Sequence, residues 1–355
     1  MHDQGTGGPA WRIPLTYQGL VVERTSRCNA KCAMCYQDAG AKGSGNLGSV
    51  SLSVADISRV LREARDISTL RPRFHLAGGE GWLQWAECFT LFAAARELGY
   101  LEITTTTNCF WAFRLDQALV RVAEAAASGL TSMEISWDHW HMPYIRPVAV
   151  GNALRACREL GVTTNLRVLT TTDHDAAEAL GYLDADDLRL ADEISSSPVY
   201  PTGRAAKELD PATIWANGSL GGSCHSVLNL TVNAAGRVAP CCAGADQTEG
   251  LTFGSVLDES IVDIARRMQS SLLLKVVTFN GVGSLIPLTG DAAEDLAESS
   301  SICHACWTIF SDPELTRRVG EQIDRIESEA FAGFADHVER ASATWHAEQP
   351  EGAAP

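Results

Sequence analysis

Cys28, Cys32 and Cys35 put three thiols into eight residues, in the stretch TSRCNAKCAMCYQDAG (25–40). Thiolates are soft ligands, and three of them are one short of the four that close an iron–sulfur site. Tetrahedral zinc would also want a fourth ligand, and only Asp38 stands nearby. An incomplete set has its own chemistry, because it leaves one iron open to a substrate or cofactor. A second group, Cys224, Cys241 or Cys242, Cys303 and Cys306, supplies the four thiolates of either structural zinc or a closed iron–sulfur cluster.

Other residues could move protons or hydrogen atoms. Asp138, His139 and His141 cluster in WDHWHM. A histidine there is a candidate general base, since its pKa lies near neutrality, or a hydrogen-bonded structural residue. Cys109, in TTTTNCF, is either a thiol placed for chemistry at the end of the third strand or a buried structural cysteine. Cys88 and Cys157 sit alone in amphipathic helical segments and are expected in the core. Trp82, Trp85, Trp111, Trp137 and Trp140 are assigned to core packing by default.

The elements that must position these residues follow a simple pattern. Strand-like runs at 19–26, 73–80, 101–108, 132–138, 165–172 and 193–201 alternate with helical patterns at 53–68, 85–99, 114–129 and 151–161. Such alternation implies a parallel sheet with helices outside it. Six units suffice for a partial barrel, short of the eight of a closed one. Reactive groups in such folds gather at the C-terminal ends of the strands, where the three-cysteine loop falls. The fold class is therefore α/β: a partial (βα)6 barrel over 18–205, a small α+β region over 206–310, a helix over 311–345, an N-terminal extension (1–17) and a disordered tail (346–355). Within the α+β region, 226–242 reads as a hairpin, 260–277 as one helix, and the Gly-rich stretch to 302 as irregular.

Eleven cysteines without a signal peptide or membrane span point to the cytoplasm, where thiol clusters bind metal before they form disulfides. A net charge of −16 argues against nucleic acid, which needs clustered Lys and Arg.

The order of motifs resembles the radical S-adenosylmethionine (SAM) superfamily. Its hallmark C-x-x-x-C-x-(apolar)-C is CNAKCAMC here, with Met34 as the apolar residue and Tyr36 beside it. LAGGEG, with Gly78, Gly79 and Glu80, is similar to the family element that contacts the SAM amino group. The resemblance extends to Ser136 and Asp138 for the ribose and carboxylate of SAM, to Asn165 and Arg167 on the fifth strand, and to Val199 in SPVYPTGRA, where backbone meets adenine. It implies a SAM-binding [4Fe–4S] cluster on Cys28, Cys32 and Cys35, and a flavodoxin- or ferredoxin-type electron donor.

The later region resembles a twitch domain, a short relative of the SPASM domain. That implies an auxiliary [4Fe–4S] cluster on Cys224, Cys241, Cys303 and Cys306, with Gly236, Pro240 and Cys241 matching G-x-x-x-P-C. Cys242 departs from this pattern, as the true ligand by a one-residue slip, a buried neighbour or a hydrogen-atom donor. His225 and His304 flank ligands.

The expected activity is oxidation or epimerisation of a small polar, aminoglycoside-like substrate. The alternative is a maturase that crosslinks or epimerises a ribosomally made peptide. The 27 residues before Cys28 weigh against an N-terminal leader-binding domain in that second case. Epimerisation would make Cys109 or Cys242 essential.

Overall fold

The structure is a computed structural model that describes residues 14–214, 220, 224, 228–244 and 248–347. The expected N-terminal extension and tail lie largely outside the described residues, as does His225.

Six strands and four helices alternate as the hydrophobic pattern requires. They are β1 (Gly19–Glu23), α1 (Val54–Ala64), β2 (Arg73–Ala77), α2 (Trp85–Glu97), β3 (Glu102–Thr107), α3 (Leu115–Ser128), β4 (Ser132–Ser136), α4 (Pro147–Leu160), β5 (Thr163–Thr170) and β6 (Glu193–Pro198). Two short helices, α5 (Ala176–Leu180) and α6 (Ala185–Leu188), fill the connection from β5 to β6. Local chemistry sets the ends. Ser53 Oγ accepts from Asp56 N at 3.0 Å to start α1, Pro147 opens α4, and glycines 129 and 161 close α3 and α4.

All six strands are parallel and lie side by side in chain order. Their side chains alternate in character. Leu20, Val22, Phe74, Leu76, Ile103, Met133, Ile135, Leu166 and Val168 face the helices, each 1 % exposed or less. The intervening positions on the other face include His75, Thr106, Glu134, Ser136 and Arg167, which line a cavity. A parallel sheet usually buries both faces. Here the polar face borders a space for ligands, as an open barrel requires.

After β6 come α7 (Ala205–Glu208), β7 (Asn229–Val232), β8 (Val238–Ala239), α8 (Ile261–Ser270), α9 (Leu272–Phe279), α10 (Ala293–Ala297), α11 (Ile302–Ser311) and α12 (Pro313–Ala347). The expected hairpin is β7–β8, but it is no separate sheet. β7 pairs in parallel with β1, Leu20 opposite Leu230 and Val22 opposite Val232, so the sheet has eight strands in the order β6-β5-β4-β3-β2-β1-β7-β8.

Two local expectations change. The run 260–277 is two helices, because Ser271 takes an extended backbone and its side chain caps Leu274 N. The Gly-rich stretch is helical over Val282–Ala292, with a kink at Gly290. Gly333 does not interrupt α12. Among the described residues no single helix is long and apolar enough to cross a membrane.

Candidate active site

The three-cysteine loop leaves β1 and folds over the C-terminal ends of the strands. Cys35 N donates to Cys32 O and Asp38 N to Cys35 O, both at 3.2 Å, while Cys28 N reaches Gly40 O at 3.0 Å. The loop is thus closed by its own backbone. Cys32 is buried and Cys28 and Cys35 half-buried. Burial pushes the thiols of Cys28 and Cys35 up, and the charge of neighbouring cysteines adds to this. A bound cation reverses that logic and deprotonates such thiols outright. Three sulfurs on one short loop at a cavity mouth fit a cluster that keeps one iron open.

The Gly-Gly-Glu element packs directly against this loop. Gly79 N donates to Thr25 O at 2.6 Å and Glu80 N to Arg27 O at 2.8 Å. A Cβ on Gly79 would stand 2.3 Å from the Arg27 carbonyl oxygen, so only glycine lets the two backbones meet. The close approach is thus to the chain's own loop as well as to the cavity, which Gly78, Gly79 and Glu80 all line. The Glu80 carboxylate is 2 % exposed and accepts from Trp82 N, Thr107 Oγ1 and Asn108 N at 2.8–3.1 Å. Burial raises its pKa to about 7, against the pull of those hydrogen bonds and of His141.

A cavity of about 380 Å³ lies beneath the loop, along the polar face of the strands. Met34, Tyr36, Ser136, Asp138, His141 and Arg167 stand on its wall, as does the residue after Cys241, Cys242. Asp138 and His141 form a buried pair, with Asp138 Oδ1 at 2.8 Å from His141 Nδ1. Burial alone would depress His141, but the Asp138 carboxylate, with Cys32, raises its pKa well above the usual value. Tyr36 donates its hydroxyl to Glu23 Oε1 at 2.9 Å. Arg167 donates to Ser197 Oγ at 3.1 Å and lies 3.8 Å from Glu134.

Four sequence assignments fall off that wall. Cys109 has a left-handed backbone (φ 61°) and is fully buried in the core outside the strands, its pKa driven up by burial. The residue at the cavity is its neighbour Asn108, which donates to Asn29 Oδ1 at 3.0 Å and approaches Cys28 Sγ at 3.8 Å. Strand alternation, counted from Thr104, would have singled out Asn108. His139 points away from the cavity. It stacks on His174 with ring centroids 3.4 Å apart, and the two Nδ1 atoms share Glu178 at 3.0 and 2.9 Å. Both Nδ1 atoms are thus engaged by one carboxylate, and the three groups offer ligand atoms within 4.8 Å of one another. Asn165 is engaged by Ser195 Oγ at 2.9 Å, and Val199 N donates to Thr170 O at 2.9 Å. Val199 instead packs beside Cys32, Met34 and Trp140. The five tryptophans are core or surface residues, none on the cavity wall, and Trp82 and Trp111 stack at 4.5 Å.

Arg204 is a residue that composition and motif did not single out. It follows Gly203, where a Cβ would lie 1.9 Å from Tyr36 O, so strand β6 can deliver it against the cysteine loop. Its guanidinium is 3 % exposed and touches the loop carbonyls of Cys32 and Ala39 at 2.9 and 2.7 Å.

The second thiol set also comes together. Cys241, Cys303 and Cys306 each have their pKa raised, burial first and then the charge of neighbouring thiols: Cys242 foremost for Cys241, Cys224 for Cys303, and Cys303 and Cys224 for Cys306. These four thiols from three separate segments lie within electrostatic reach of one another and are candidates to hold a cluster.

No family model matches the chain. Among curated proteins it is 22 % identical over 319 residues to the Bacillus subtilis (strain 168) "Putative peptide biosynthesis protein YydG", covering 87 % of this chain and 97 % of that protein. It is 34 % identical over 119 residues to GTP 3′,8-cyclase of Vibrio parahaemolyticus, covering 34 % of this chain and 33 % of that enzyme. Among solved structures, histidine-tagged anSMEcpe with bound AdoMet superimposes with a TM-score of 0.52 at 14 % identity, over 94 % of this chain and 99 % of that one. Native anSMEcpe with AdoMet and the Cp18Cys peptide gives 0.50 at 12 %, over 90 % and 99 %. At such identities the structures speak to the fold, whereas the first relative matches the sequence along 87 % of this chain. Loop, strand ends and relatives agree, and the chain belongs to the radical SAM superfamily.

Proposed function

We propose that this radical SAM enzyme inverts a stereocentre in a peptide substrate, with Cys242 as the hydrogen-atom donor. One observation carries the reading: besides the three loop cysteines, Cys242 is the cysteine on the cavity wall among the described residues, while Cys109 is sealed in the core. Cys28, Cys32 and Cys35 would hold the [4Fe–4S] cluster, and Glu80, Ser136 and Asp138 would receive SAM. When bound there, SAM supplies a 5′-deoxyadenosyl radical that takes one hydrogen atom from the substrate.

The chain's residues do the rest. The cavity wall orients one C–H bond toward that radical and keeps water away. Cys242 gives the hydrogen of its S–H bond to the opposite face of the substrate carbon and is left as a sulfur radical. One electron and one proton restore the thiol. A flavodoxin- or ferredoxin-type donor supplies the electron, and Cys224, Cys241, Cys303 and Cys306 would hold an auxiliary cluster that relays it.

The peptide, rather than the aminoglycoside-like molecule expected from sequence, is supported by the name of YydG and by the peptide in the anSMEcpe complex. No comparison supports an aminoglycoside. A second reading, alcohol oxidation, needs a base beside the substrate radical, and the Asp138–His141 pair on the cavity wall would serve only once His141 has given up the proton that Asp138 holds on it.

Anaerobically reconstituted, reduced enzyme in heavy water separates these readings. Peptides encoded beside its gene and a panel of aminoglycosides are offered, with 5′-deoxyadenosine and product mass followed. Peptide epimerisation adds one deuterium, and Cys242→Ala stops that incorporation while SAM cleavage continues. A product two mass units lighter establishes oxidation instead, and turnover with aminoglycosides alone rejects the peptide.

A further inference from the structure

A buried guanidinium against the cysteine loop asks for a reason, because burying a charge is unfavourable unless it is paired on all sides. Arg204 meets the loop through each of its nitrogens. Nη1 donates to Cys32 O at 2.9 Å and Nη2 donates to Ala39 O at 2.7 Å, while Nε lies 2.7 Å from Asp38 Oδ1 as an ion pair without hydrogen-bond geometry. Its own backbone N–H donates to Cys35 O at 2.9 Å. The contacts therefore reach the second and third cysteines of the loop and the turn that follows them. Asp38, in turn, has a left-handed backbone (φ 53°), uncommon for a residue with a side chain, and is held from outside by Lys207 Nζ at 3.1 Å.

We infer that Arg204 is a positioning residue that holds the cysteine loop in its cluster-ready shape and sets the local charge the cluster feels. The loop's carbonyls face a rigid planar fork, so Cys32 and Cys35 stay placed before any iron arrives. A permanent positive charge beside a cluster that gains an electron favours the reduced form. This inference rests on superfamily membership and not on the peptide reading, and its test needs no substrate.

Full-length Arg204→Gln and Arg204→Lys proteins are reconstituted anaerobically beside the wild type. Iron and sulfide per chain are measured, together with the redox midpoint and the change in the electron paramagnetic resonance signal when SAM is added. Glutamine loses both fork and charge. The expectation is about a tenfold loss of SAM-responsive cluster and a midpoint shifted to more negative potential in what remains. Lysine keeps the charge, but its single nitrogen cannot serve acceptors arranged around three. It is expected to lose SAM-responsive cluster while its midpoint stays near wild type.

Far-UV circular dichroism checks the fold. If Arg204→Gln does not fold, Arg204→Lys decides: a reduced SAM response supports the inference and an unchanged one overturns it. Folded variants with wild-type cluster content, midpoint and SAM response also overturn it. So does iron loss with the SAM response intact, since that loss belongs to the other thiol set.

Discussion

His75 stands on the polar face of β2, its ring nitrogens 2.7 Å from Thr104 Oγ1 and 2.9 Å from Thr106 Oγ1. Burial depresses its pKa; Glu134 opposes this, while Arg73 and Arg167 reinforce it. The unfolded chain therefore takes up this proton at a higher pH than the folded one. The stability His75 contributes is present above the ordinary histidine value of about 6.5, and is lost as pH falls through the folded pKa. Urea denaturation of the apo protein at pH 7.5 and pH 5 should show a change less favourable to the folded state in the wild type than in His75→Gln, the opposing contribution of Glu80 being common to both. Cys109 makes a second case at this scale. Its sequence position at a strand end suggested chemistry, but side-chain direction decided otherwise. Cys109→Ala should leave deuterium incorporation into product unchanged, and a loss of incorporation in a folded variant would return Cys109 to the reaction. Sequence named the residue types of the site well and their directions less well. A one-residue step just past the end of a strand turns a side chain from cavity to core, as Asn108 and Cys109 demonstrate beyond β3.

At the scale of elements, the glycines and caps explain how distant segments meet. Gly203 has a left-handed backbone (φ 59°) as well as its contact with Tyr36. In Gly203→Ala the strained backbone alone should destabilise by about 1–3 kcal/mol, with the clash added. The expected result is a lower melting temperature and a poorly loaded cysteine loop, read by iron content. Ser53→Ala removes the cap of α1, far from the cavity, and should reduce stability by about 1 kcal/mol while SAM cleavage stays normal. Equal iron content in the first variant, or lost cleavage in the second, would contradict these assignments. The six strands and four main helices were legible in the sequence because each carries a clear apolar period. The break at Ser271 was not, since the apolar pattern runs straight through it and only the serine's capping bond separates α8 from α9.

For the whole molecule, the parallel pairing of β7 with β1 matters most. Leu230 and Val232 are fully buried beside Leu20 and Val22, so the region after β6 supplies the neighbour of the strand that carries the cysteine loop. A fragment ending at residue 214 would expose the edge of β1 and should aggregate, where the full chain does not. A soluble fragment with barrel-like circular dichroism would show that β1 needs no cover. Sequence alone determined the superfamily, the strand and helix order, and the two sets of cysteines, because these depend on local spacing and on periodicities of two and 3.6 residues. Tertiary structure alone decided that β7 joins the barrel's sheet and that Arg204 clasps a loop some 170 residues earlier in the chain. It also placed Cys242 on the wall, His139 away from it and Cys109 in the core. Pairing between distant strands and the facing of single side chains arise from packing in three dimensions, and no local pattern encodes them.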